Sequence, residues 1–243
     1  MTNIVLELGD DVASQFPQAL VAGLLIERLD VAATRLGDVG KHTQAACEAL
    51  VASNLTISNL TDDPRITGWR DAIGRCGLKA GTYKSSVEQL ARRFLKGGSI
   101  STALPVVNLY CAISTRYLAP LGGYDVGLLP EATIALRMGR PSSDSFLPLG
   151  VRSDDMPIKP TIPVYASGAA VLCWAFNHRD SRATCLSTET TTAAFISEAV
   201  TVEQRDGLKA ALSGLSRELE WRGARPGAVA VVDANDRRVV LSV

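Results

Sequence analysis

From Leu104 onward the apolar residues of this chain come in short runs, LPVVNLY, ATIALRM, IPVYAS and AAVLCWAF, separated by segments rich in glycine and proline. Runs of this length bounded by turn formers suit strands joined by tight connections. The chain does not keep up the alternation of strand and long helix that a parallel sheet requires. The expected fold class is therefore α+β, with a mainly antiparallel sheet flanked by helices.

The two ends agree with that class. NIVLEL alternates as a half-buried strand does, while ALVAGLLIERLDV is a longer apolar run whose Gly23 leaves strand and helix both open. Residues 36–52 carry Val39, Ala45, Ala46, Leu50 and Val51 mostly at helical spacing, and SNLTISNLTDDPR after them reads as a loop. A second helical region spans 66–96, with Trp69, Ala72 and Ile73 as one stripe and Leu90, Phe94 and Leu95 as another. Near the C-terminus Thr201 and Gln204 form a capping box, Leu208, Leu212, Leu215 and Leu219 follow at helical spacing, and Gly223 ends the helix. AVAVVDANDRRVVLSV is then two β-rich runs around Asp233-Ala-Asn-Asp, a hairpin signal.

With 243 residues, 47% of them apolar, the chain can bury one substantial core, so residues 1–243 are expected to form one domain, closed by the 201–243 helix and hairpin. Lys and Arg total 25 against 25 Asp and Glu, which excludes a uniform basic coat but not a local basic patch. No DNA partner is expected. The run from Ala19 to Ile26 is too short to span a membrane, and Met1–Asp10 lacks the cationic start of a signal peptide, so a cytoplasmic protein without membrane contact is expected. Five cysteines without a CxxC pair and only two histidines offer no recognisable zinc set. Neither a metal nor a cofactor is expected, and oligomeric state is left open.

One stretch is charged out of proportion. Between Trp69 and Lys96 lie seven cations (Arg70, Arg75, Lys79, Lys84, Arg92, Arg93 and Lys96) against two acids, Asp71 and Glu88. Within it Ser85 with Glu88, or Ser86 with Gln89, can cap a helix, and Glu88 and Arg92 stand four apart in the favourable order. A capped, solvated helix ending at Gly97-Gly98 explains this as well as arginine forks facing phosphates do.

Taken in order, Trp69-Arg70, SSVEQLARRFLKG from Ser85, LPVVNLYCAIS from Leu104, PLGGYD from Pro120 and NHRD from Asn177 with Thr184 beyond resemble the free-standing B3/B4 proteins. These are relatives of the editing module in the β subunit of phenylalanyl-tRNA synthetase. The resemblance covers roughly Trp69 to Thr190. It implies a cleft that holds the charged 3′ end of a tRNA while the amino-acid ester is hydrolysed, a reaction that needs an oriented water and oxyanion donors but no catalytic triad. By that resemblance the aminoacyl-tRNA acceptor end is the partner. Ser86, Glu88, Arg92 and Arg93 would position backbone or amino group, with Tyr124 available to stack a base. Asn108, Tyr110 and Ser114 would line the amino-acid pocket, and Gly122, Gly123, Asn177 and Arg179 would supply donors.

The chain departs from the family pattern at two acids. Val107-Asn108-Leu109-Tyr110-Cys111 stands where the family usually carries Val-Asp-x-Tyr-Asn, and Thr161-Ile162 where it carries Gly-Glu. These losses leave room for an aminoacyl transferase that hands the amino acid to a small-molecule acceptor, or for a non-catalytic binder. In the transferase reading Cys111 would take the aminoacyl group with His178 as its base. Packing is the plainer task for both side chains.

Overall fold

The apolar run that begins at Ala19 resolves as a strand over residues 20–27, and the reason organises the molecule. In the computed structural model, which describes residues 2–31, 36–151 and 156–243, β2 (Leu20–Glu27) is buried along nearly its whole length. Leu20, Ala22, Leu24 and Ile26 face one apolar cluster while Val21 and Leu25 face another. A strand covered on both faces loses the alternation of a half-exposed one. Gly23 marks its closest approach: a Cβ there would stand 2.7 Å from Leu241 Cδ1 and 3.0 Å from Leu6 Cδ2.

Two sheets sandwich the larger cluster. The first runs in the order β11 (Arg238–Leu241), β1 (Ile4–Leu8), β4 (Thr133–Met138), β5 (Pro163–Ser167), β6 (Ala170–Trp174) and β7 (Arg179–Asp180). The second runs β10 (Ala230–Asp233), β2, β8 (Ala193–Ala199) and β3 (Gly122–Asp125), with the short β9 (Arg225–Pro226) also on β2. β1 and β4 pair in parallel, and the other ladders are antiparallel. The α+β class with a mainly antiparallel arrangement therefore holds.

A short α1 (Asp10–Gln15) follows β1. The outer face of the second sheet is covered by α5 (Pro105–Tyr117) and α6 (Arg205–Trp221), which contribute Leu109, Ile113, Leu208, Leu212, Leu215 and Leu219. Around the larger cluster pack α2 (Leu36–Ala52), α3 (Pro64–Arg75) and α4 (Ser86–Leu95). The expected helical region 66–96 is thus two helices. On α4 the buried stripe is Val87, Ala91 and Phe94, with Leu90 and Leu95 only half-buried.

Two local expectations change. LPVVNLY is the start of α5 rather than a strand: Pro105 occupies the first turn, where its missing N–H costs nothing. Val106, Leu109, Tyr110 and Ile113 continue the apolar face into CAIS. The hairpin at 230–241 closes its turn, with Asp233 N–H donating to Asp236 O at 2.9 Å, but its two strands join different sheets. β10 pairs with β2 and β11 with β1, so the turn bridges the sandwich at its edge.

Candidate functional site

The cap foreseen at Ser85 starts α4: Ser85 Oγ accepts from the Glu88 N–H at 3.3 Å. The Glu88 side chain turns inward and is fully buried. It accepts from Arg70 Nη1 on both oxygens (3.0 and 3.2 Å) and from Arg92 Nε at 2.9 Å. A buried carboxylate needs such partners, so two of the seven cations serve the interior. Arg75 lies over the Phe16 ring at 4.5 Å, and Lys84 donates to Gly81 O. Arg93 and Lys96 are exposed to solvent on the last turn and cap of α4.

Immediately in front of α4 sits Asn177, delivered by a strained turn. Ala175 and Phe176 both take positive φ (52° and 62°), a conformation non-glycine residues seldom adopt. Ser86 donates its backbone N–H (2.8 Å) and its hydroxyl (3.3 Å) to Asn177 Oδ1. Asn177 Nδ2 in turn donates to Glu198 Oε1 at 2.6 Å, and the Tyr165 hydroxyl donates to Glu198 Oε2 at 3.0 Å. One chain of hydrogen bonds therefore links the head of α4, the turn after β6, β8 and β5.

Burial pushes the Glu198 carboxyl up from 4.5 to about 7. Its hydrogen bonds from Asn177 and Tyr165 hold it back, and the charge of Asp180 adds to the rise. Asp180 is raised as well, again by burial, against the stabilising bonds of the Cys173 thiol and the Tyr124 hydroxyl and the charge of Arg179. The field of Asp180 reaches Tyr110, Cys111, Tyr124, Cys173, Cys185 and Glu198. Tyr110 and Cys111 of one expected motif and Tyr124 of another thus share one half-buried carboxyl as a neighbour.

Other expected site residues are occupied elsewhere. Asn108 is buried and bonds three times to Thr102, accepting from its N–H (2.8 Å) and hydroxyl (2.9 Å) and donating to its carbonyl (3.2 Å). It ties down the segment before α5. Ser114 donates to Ala119 O at 2.6 Å and closes the end of the same helix. Tyr110 packs edge-on against Phe195, 5.9 Å between ring centres. The Cys111 thiol is pushed up to about 12 by burial and by Asp180, with Arg93 pulling the other way. His178 Nδ1 lies 2.7 Å from Lys84 O, so that nitrogen carries the hydrogen and donates. Its ring lies against Tyr83 and Trp174, and burial lowers its pKa. Arg179 Nη1 reaches Leu149 O at 3.5 Å, whereas its Nε and Thr184 Oγ1 are buried without partners among the described residues.

Gly122 and Gly123 lie in β3, opposite Ile196 and Phe195 of β8. A Cβ on Gly123 would meet Phe195 Cε1 at 2.9 Å and Leu186 Cδ1 at 3.1 Å. One on Gly122 would meet the Tyr124 hydroxyl at 3.0 Å. These glycines let the sheet close on the cluster.

A family model described as the B3/4 domain matches residues 68–233, from α3 to the end of β10. The chain belongs to the B3/4 domain family. No curated protein sequence matches it. Among solved structures, an N-terminal fragment of the phenylalanyl-tRNA synthetase β subunit from Pyrococcus horikoshii is similar at 12% identity and a TM-score of 0.46, over 91% of this chain and 49% of that one. This B3/4 chain thus spans about half the length of that structure. The family match extends beyond Thr190 and takes in Glu198, the site member the motif reading did not contain. A lone acid in the apolar strand AAFISEA was the signal available. Among the described residues no group of three His, Cys, Asp or Glu side chains is placed to hold a metal, and no helix is long and apolar enough to cross a membrane.

Proposed function

We propose that this B3/4 domain is an aminoacyl-tRNA deacylase that hydrolyses the ester at the charged 3′ end. The observation that carries the reading is the joining of Ser86, Asn177 and Glu198 at the head of α4, with a carboxyl that titrates near neutral pH. A base with its pKa close to the working pH is the effective one for taking a proton from water. In this scheme Glu198 takes that proton as the water oxygen attacks the ester carbonyl carbon. The second N–H of the Asn177 amide donates to the developing oxyanion. The carbon–oxygen bond to the ribose then breaks and the ribose oxygen leaves with the proton. Arg93 and Lys96, exposed at the opposite end of α4 from Ser86, are available to the phosphates of the acceptor strand.

Transfer through a Cys111 thioester has no comparable support, because a thiol held near 12 supplies almost no thiolate at neutral pH. Binding without turnover is the second reading, favoured by the internal bonding of Asn108 and Ser114.

The test is a panel of aminoacyl-tRNAs, each labelled on the amino acid, followed for free amino acid and for any new adduct. Release from a subset is expected. Glu198→Gln is expected to slow release by roughly a hundredfold or more with tRNA affinity kept. Undiminished release by that variant would remove Glu198 from the chemistry, and measurable tRNA binding with a stable ester over hours would leave the binder.

A further inference from the structure

The groove enclosed by α2, α5 and α6 lies apart from the Glu198 cluster. It has a volume of about 470 Å³ and is lined by Lys41 of α2, Arg116 of α5 and Arg222 just past α6. A smaller recess beside it adds Arg217. Against these four cations the lining offers, among the described residues, one carboxylate, Glu218. That carboxylate is shared between Arg222 Nη1 at 2.6 Å and His42 Nε2 at 3.2 Å. In a chain whose charges cancel overall, the surplus makes a local positive field.

Helix dipoles do not explain the cluster. Arg116 in the last turn of α5 would suit that end of a helix, but Lys41 lies in the second turn of α2, far from the C-terminal end where a dipole would favour it. At the lip of the groove stands Trp221, 75% exposed, whereas Trp69 and Trp174 are fully buried. The Arg222 guanidinium lies over the Trp221 ring at 5.1 Å, and most of the indole remains in water. Cations around a concavity with a flat aromatic ring at its edge match a phosphate joined to a planar base.

We propose that this groove binds single-stranded RNA, with Lys41, Arg116 and Arg217 taking backbone phosphates and Trp221 stacking a base. The cations come from three helices and line both the groove and the recess beside it, which favours a strand over a free nucleotide. A lipid surface fits less well, since interfacial helices need an apolar face, and Trp221 is the only large apolar side chain that α6 exposes among the described residues. The choice of RNA rests on the tRNA reading above. Binding and ester cleavage are measured separately, so either can fail alone.

The experiment uses the full chain and a labelled single-stranded octaribonucleotide ending in CCA. Binding is read by anisotropy and by the tryptophan emission, whose solvent-accessible part comes from Trp221. The oligonucleotide is expected to quench that emission. Trp221→Ala is expected to weaken binding roughly tenfold, the usual loss for one stacked base. Arg116→Gln with Arg217→Gln is expected to weaken it further and to flatten the plot of log affinity against log salt by about 1.4, for two phosphate contacts on a single strand. All three side chains are exposed, so the variants should fold. Two controls, adenosine monophosphate and phosphatidylglycerol vesicles, are expected to leave the emission unchanged. Absence of quenching by the oligonucleotide, an unaltered salt slope in the double variant, or an equal response to either control would overturn the proposal. A protein that quenches with RNA yet releases no amino acid would refute the deacylase reading alone.

Discussion

Replacing Glu198 by glutamine removes a buried titrating group while keeping its size: the amide oxygen can still accept from Asn177 Nδ2, and the amide N–H can donate to the Tyr165 hydroxyl, which reverses that bond. The wild-type carboxyl sits at about 7 in the fold against an ordinary 4.5, and it is 3% exposed. An acid raised in this way binds more protons folded than unfolded. Its stabilising contribution is therefore fully present below about 4.5 and is lost as pH rises through about 7. At about 1.4 kcal/mol per tenfold change in proton affinity, the loss is about 3 kcal/mol. Because the other acids titrate in both proteins, the difference between the two reports Glu198 together with its coupling to Asp180. Urea unfolding of wild type and Glu198→Gln at intervals from pH 4.5 to 8 should show the variant gaining about 3 kcal/mol relative to wild type across that span. A difference that stays flat, or runs the other way, would show that Glu198 is not forced toward its neutral form, and the case for it as a base near neutral pH would go with it.

Three further outcomes follow from the same geometry. Glu88→Ala leaves Arg70 and Arg92 without their carboxylate. Breaking a buried pair costs about 3–5 kcal/mol, but these arginine side chains are 29% and 26% exposed, so about 2–3 kcal/mol is expected in urea unfolding; a change under about 0.5 kcal/mol would refute the interior role. Cys111, held at about 12, should resist iodoacetamide in the folded protein at pH 8, and prompt modification seen by peptide mass spectrometry would contradict its unreactive setting. Gly123→Ala puts a methyl 2.9 Å from Phe195, an overpacking expected to cost about 1–3 kcal/mol and to lower the thermal midpoint, whereas an unchanged midpoint would show that β3 can move aside.

How much of this was legible depends on how local the cause is. The Ser85 cap, the Thr201–Gln204 capping box and the leucine face of α6 depend on neighbours a few residues away, and they appear as read. LPVVNLY misled because a short apolar run looks alike in a strand and in a buried helix, and the deciding feature was how far the face continued past Tyr110. Family membership was legible because the residues that carry it lie in ordered strings. The partners of individual residues in those strings were not, since Asn108 bonds Thr102 and Ser114 bonds Ala119 through contacts that no spacing announces. Glu88 and Arg92 were visible as a helix pair, but not the burial of Glu88 or its bond to Arg70, eighteen positions earlier.

What the sequence determined by itself, then, is the class of fold, the caps and the apolar faces of its helices, and membership of a family through ordered strings of residues. Tertiary structure alone decided that β2 is covered on both faces, that the last two strands part to different sheets, and that Glu198 meets Asn177 and Tyr165. Turn and helix chemistry acts over a few residues and so leaves its mark in order and spacing. A carboxyl's pKa and the partners of a buried amide depend on which distant segments fold against them, and that information exists only once the two sheets have closed.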